Sequence, residues 1–135
     1  MTVAARILIV DDNEANLELL GYLLAAGGHT VMTAENGAQA LVLINDGPAP
    51  DLVISDLRMP VMDGFALLQR IRQDARLEAL PVIAVTAFSM AADRTRVMLA
   101  GFDGYLSKPI VPETFIGEVE AFLLVGRRAA SPSSG

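Results

Sequence analysis

At 135 residues, with 53% hydrophobic and 19% charged side chains, the chain suits one ordinary domain that buries roughly two-thirds of its unfolded surface, and it lies far from disordered compositions. The absence of cysteine removes disulfides, thiolate metal sites and cysteine nucleophiles, and a net charge of −6 argues against a basic surface for nucleic acid or anionic lipid. No basic segment followed by a long apolar run opens the chain, and no apolar stretch approaches the ~20 residues of a membrane span, so a soluble cytoplasmic protein is expected.

Short apolar runs alternate with longer amphipathic ones. Ile7 to Val10 reads as a buried strand, followed by Asp11-Asp12-Asn13 and a helix-period stretch with Leu17, Leu20, Leu23 and Leu24 on one face, ended by Gly27-Gly28. His29 to Ala34 predicts a second strand, and Gly37 to Asn45 a helix with Ala40, Leu41 and Ile44 inward. Asp46-Gly47-Pro48 breaks the chain before a third buried strand, Leu52 to Ser55, which ends at Asp56.

Proline and glycine make Arg58 to Gly64 a loop, and the spacing of Phe65, Leu68 and Ile71 predicts a helix over Phe65 to Ala75. Pro81 to Thr86 is a fourth strand. The next helix, Ser89 to Ala100, has a thin apolar face of Met90, Val97 and Met98 against Asp93, Arg94, Thr95 and Arg96, and is expected to be the least firmly seated. Gly104 to Ser107 is a short fifth strand, and Pro112 to Val125 a helix with a wide stripe of Phe115, Ile116, Val119, Phe122 and Leu123. One domain over residues 1–125 is expected, and the small, polar tail 126–135 is expected to be disordered.

Five strands alternating with five helices predict an α/β fold, a doubly wound (βα)5 parallel sheet, in which ligands bind outside the carboxyl ends of the strands. Those ends carry Asp11 and Asp12, Asp56, Thr86, and Lys108, the only lysine in the chain. An all-oxygen carboxylate set is the ligand type that magnesium prefers, and clustered carboxylates repel one another until a divalent cation relieves them. With the cation and Lys108 neutralising phosphoryl oxygens, Asp56 is suited to nucleophilic attack on phosphorus, and Thr86 offers a hydroxyl donor beside it. Taken singly, each residue has a plainer reading: Asp-Asp as a helix cap, Asp56 as a turn residue, Thr86 as a strand residue, and Lys108-Pro109 as a solvated loop. His29 is read as structural. The functional reading rests on their closing four strands of one sheet.

The motifs ILIVDDNEANLELL, DLVISDLRMPVMDG, PVIAVTAF and GYLSKPI, in that order, resemble the receiver domain of two-component response regulators over about residues 5 to 125. The fourth-helix region is most similar to single-domain regulators of the cell-cycle kind and to receivers of hybrid histidine kinases. The resemblance implies a flavodoxin-like sheet of strand order 2-1-3-4-5, Asp56 as phosphoacceptor, and Asp11, Asp12, Asp56 and the Arg58 backbone carbonyl as magnesium ligands. It further implies Thr86 and Tyr105 as switch residues, Lys108 as the phosphoryl-holding cation, and a cis bond before Pro109. The implied partners are a histidine kinase or histidine phosphotransfer protein and a downstream protein that reads the face of the fourth helix, fifth strand and fifth helix. Neither nucleic acid nor membrane is an expected partner. Catalysis is limited to the domain's own phosphorylation and dephosphorylation, and Phe88 is expected to slow the latter by shielding the site.

Several alternatives stand beside this reading. The chain is then a receiver fragment of a larger regulator or hybrid kinase, a magnesium-dependent phosphohydrolase working through an aspartyl phosphate, a flavodoxin-like FMN carrier, or an interaction module blind to phosphorylation. Adjacent first-strand acids and the lack of a cap segment disfavour the hydrolase, and an acidic crevice without a phosphate loop disfavours the FMN carrier.

Overall fold

The computed structural model describes residues 4–87 and 91–126, the side chains of 91–93 excepted. The elements follow in the order β1 (Arg6–Val10), α1 (Glu14–Ala26), β2 (Thr30–Ala34), α2 (Gly37–Asn45), β3 (Leu52–Asp56), α3 (Gly64–Arg72), β4 (Val82–Thr86), α4 (Ala91–Ala100), β5 (Gly104–Ser107) and α5 (Pro112–Val125). All strand pairs are parallel, in the order β2-β1-β3-β4-β5. The doubly wound α/β fold is therefore the one expected.

Because strand side chains alternate, the sheet feeds two cores. Leu8, Val10, Val53, Val82 and Ala84 meet Ala40, Ile44, Leu67, Leu68 and Ile71 on one face. Ile7, Ile9, Ile54, Ile83 and Val85 meet Leu17, Leu20, Leu24, Phe115 and Val119 on the other. Of the three interior strands, β3 and β4 are buried along their whole length, which explains their continuous apolar runs.

Element ends follow local chemistry. Asn13, Asn36 and Asp63 accept the backbone N–H of Asn16, Gln39 and Ala66, and so start α1, α2 and α3. The Asp63 cap moves the start of α3 to Gly64. That helix stops at Arg72, short of the expected Ala75, because Asp74 caps a separate 3-10 turn over Ala75–Leu77. β4 begins at Val82, since Pro81 has no N–H for the ladder. His29 stands just ahead of β2: its buried ring accepts the Ala5 N–H at Nδ1, and Nε2 lies 3.2 Å from Glu120 of α5.

On α4, Val97 is buried and Met98 half-buried, while Arg94, Thr95, Arg96 and Leu99 are exposed. The expectations on Ser89, Met90 and Phe88, and on the tail beyond Gly126, lie outside the described residues.

Candidate functional site at the carboxyl edge of the sheet

β1 and β3 are adjacent, with Val10 opposite Ser55, so the residues that follow each strand end meet at one edge. Asp11 is 2% exposed and Asp56 9%, while Asp12 points to solvent. One carboxylate oxygen from each of Asp11, Asp12 and Asp56 lies within 4.8 Å of the others. Lys108 enters from the end of β5, its Nζ 3.4 Å from Asp56 Oδ2 and 3.7 Å from Asp11 Oδ2. Its backbone N–H donates to the Thr86 carbonyl at 2.9 Å, extending the β4–β5 ladder by one step, and the Lys108–Pro109 peptide is cis.

The acids are held by neighbours that sequence reasoning passed over. Asn13 N–H donates to Asp11 Oδ1 at 2.9 Å and Asn16 Nδ2 to Oδ2 at 3.3 Å, so the first turn of α1 fixes that carboxylate. The Asn13-to-Asn16 capping interval was the available signal. Leu57 N–H donates to Asp56 Oδ1 at 2.8 Å, and Ser55 Oγ donates to the Asp56 carbonyl. The loop after β3 then folds back closely: a Cβ on Gly64 would stand 2.3 Å from the Asp56 carbonyl oxygen. Gly37 N–H donates to the Met62 carbonyl of the same loop at 3.0 Å, which ties α2 to the rim. Arg58 lies exposed in this loop, two residues past Asp56.

Burial, first, and the charge of Asp11, second, raise the Asp56 pKa above its ordinary value, against the pull of Lys108 and the Leu57 N–H. The site therefore concentrates negative charge that one ammonium answers incompletely. Its donors are all oxygens, the set that suits a hard divalent cation such as magnesium. His29 lies at the opposite end of β2 and takes no part.

Thr86 is buried beside this edge, and Tyr105 is half-buried two residues before the end of β5. Register pairs Ala84 with Tyr105 and Thr86 with Ser107, so Tyr105, Ala84 and Thr86 share one face of the sheet. Below Lys108, a groove of about 620 Å³ runs between α4, β5 and α5, lined among others by Met98, Tyr105, Ile110, Val111, Phe122 and Val125.

A doubly wound sheet carrying a buried aspartate, two neighbouring acids and a lysine at its carboxyl edge is the architecture of a phosphoryl-accepting signalling domain. The family model described as response regulator receiver domain matches residues 7–120, and the chain belongs to that family. It is 37% identical over 117 residues to the polar-differentiation response regulator DivK of Brucella anthropi, covering 87% of this chain and 94% of that one. Among solved structures, the chemotaxis response regulator CheY4 of Vibrio cholerae superposes with a TM-score of 0.82 at 28% identity, over 88% of this chain and 98% of the other. The receiver domain of a sensor histidine kinase from Pseudomonas aeruginosa, solved with magnesium coordinated in its active-site cleft, gives 0.79 at 28% identity, over 90% and 98% of the two chains.

Proposed function

We propose that the chain, over residues 1–125, is a receiver that takes a phosphoryl group from a phosphohistidine onto Asp56 and relays the change to a partner protein. The observation that carries this is the gathering of Asp11, Asp12, Asp56 and Lys108 into one crevice. Asp11, Asp12 and Asp56, with the Arg58 carbonyl, are the residues that would hold magnesium. When bound, that cation supplies charge neutralisation for the phosphoryl oxygens.

The chain's own residues do the rest. An Asp56 oxygen forms the new bond to phosphorus as the donor's nitrogen–phosphorus bond breaks, and the electron pair leaves with the imidazole. Asn13, Asn16 and the Leu57 N–H keep the carboxylates from turning away. Lys108 pairs with a phosphoryl oxygen, and Thr86 donates its hydroxyl to another. Attack by water on the resulting acyl phosphate resets the domain, so its chemistry is confined to its own modification. As Thr86 moves toward the phosphoryl group, Tyr105 turns inward beside it, and the groove between α4, β5 and α5 changes shape for a downstream protein. The donor is a histidine kinase or histidine phosphotransfer protein that docks near α1, and the setting is the cytoplasm. No helix among the described residues is long and apolar enough to cross a membrane.

Intact-mass measurement after incubation with acetyl phosphate, with and without magnesium, tests this on the parent and Asp56→Asn. A single phosphoryl gain that requires both magnesium and Asp56 is expected. A gain retained by Asp56→Asn would refute the assignment, and no gain from acetyl phosphate or a phosphohistidine donor would refute the mechanism.

A further inference from the structure

We propose that Arg94 is a positioning residue for Tyr105: its guanidinium holds the ring in the resting arrangement and so sets how readily the receiver changes state. This rests on the receiver reading above and concerns what opposes the switch. Arg94 is exposed on α4, and its guanidinium carbon lies 5.6 Å from the centroid of the Tyr105 ring, within reach of cation–π attraction. The ring itself is half-buried and lines the groove, with fully buried Ala84 opposite it in register on the same face as Thr86.

A second stack shows what is particular about the first. Arg96, two residues on, covers the ring of Phe65 at 4.9 Å, and Phe65 meets Phe102 edge to face at 5.7 Å. That contact seats α4 on α3 through a ring packed against the core. Arg94 instead seats α4 on the ring that the mechanism moves. Inward rotation of Tyr105 separates it from an arginine anchored on the outer face of α4, so the stack exists in one state and is broken in the other. A contact with such a difference biases the equilibrium by its own strength, and an exposed stack of this kind shifts it roughly two- to five-fold.

Beryllofluoride, which mimics a phosphoryl group on a carboxylate, is the probe. Titration in the presence of magnesium, with bound fluoride followed by fluorine NMR, gives the half-saturating concentration for each variant. Tyrosine emission in a Tyr22→Phe background, where Tyr105 is the one tyrosine left, reports the ring directly. Arg94→Ala is expected to lower the half-saturating concentration roughly two- to five-fold and to alter Tyr105 emission before any ligand is added. Arg94→Lys recovers part of the parent behaviour, because an ammonium also stacks. In a Tyr105→Leu background Arg94→Ala changes nothing. Equal half-saturation for the parent and Arg94→Ala, or the same effect with and without the aromatic ring, overturns the proposal and leaves the receiver reading standing. A folded parent that does not bind beryllofluoride overturns both.

Discussion

Lys108 Nζ stands 3.4 Å from Asp56 Oδ2, wider than the 2.7–2.9 Å of a tight ammonium–carboxylate hydrogen bond. The ammonium is shared with Asp11 at 3.7 Å and closes on neither acid. Such a cation lowers the cost of ionising Asp56 while leaving that carboxylate open to a reacting group. Lys108→Met is therefore expected to raise the Asp56 pKa above its already elevated value. Carbon-13 titration of the Asp56 carboxyl carbon checks this, and an unchanged or lowered midpoint would count against the assignment.

The ionised site also costs stability. Because the folded state raises the Asp56 pKa above its ordinary value of 3.8, the folded chain holds that proton more tightly than the unfolded one. The group's contribution to stability is fully present below the unfolded pKa and is lost as pH rises through the folded pKa. Asp56→Asn should thus melt higher than the parent at pH 7 in magnesium-free buffer, by a few degrees, the shift that about 1 kcal/mol produces at this size. The advantage should shrink at pH 3 to 4, and added magnesium should favour the parent. Scanning calorimetry across that range, with and without magnesium, makes the comparison.

Gly64 is a steric requirement of the rim. Its missing side chain lets the loop after β3 lie against the Asp56 carbonyl, where a methyl group would stand 2.3 Å away. Gly64→Ala is expected to cost about 1–3 kcal/mol in urea unfolding, the range for overpacking, and to weaken magnesium binding as Asp56 is pushed out of place. Gly47, where an added Cβ meets nothing within 4 Å, is the control, and Gly47→Ala should affect neither measurement appreciably.

At the other pole, Asp103 is 4% exposed and accepts Arg72 Nη2 and the Val82 N–H, each at 2.8 Å. Arg72 Nη1 also donates to the Leu80 carbonyl at 2.8 Å. One buried carboxylate thereby fastens the start of β5 to α3 and to the start of β4. Asp103→Ala leaves Arg72 facing an unfilled site, and a loss of about 3 kcal/mol or more is expected from breaking such a pair. Urea midpoints read the loss, while the magnesium-dependent mass gain of the folded fraction should persist.

The crevice was legible because its chemistry sits at strand ends, and strand ends are where an apolar run stops. Asp11, Asp56, Thr86 and Lys108 each follow or close such a run, so alternation of strands and helices was enough to bring them to one edge. Asp103 was not legible for the same reason: it precedes a strand, and its partner Arg72 lies 31 residues away on a helix face that reads as solvated. Arg94 on Tyr105 escaped likewise, since a charge on an exposed helix looks the same whether or not a ring lies beneath it. α3 ends short of the expected Ala75 because Asp74 starts a new turn where the helical spacing still runs on from Ile71 to Ala75.

His29 joins Ala5, just ahead of β1, to Glu120 of α5, and α5 also delivers Phe115 and Val119 onto the core face that Ile7 and Ile9 present. The first strand and the last described helix are thus neighbours, although nearly the whole sequence separates them. On the ribosome, β1 emerges early, α1 then covers part of that face, and its burial is complete only when α5 follows. Contacts of such long range make folding wait on α5, and during that wait the part of the Ile7 and Ile9 face that α1 leaves open is the surface a chaperone would find.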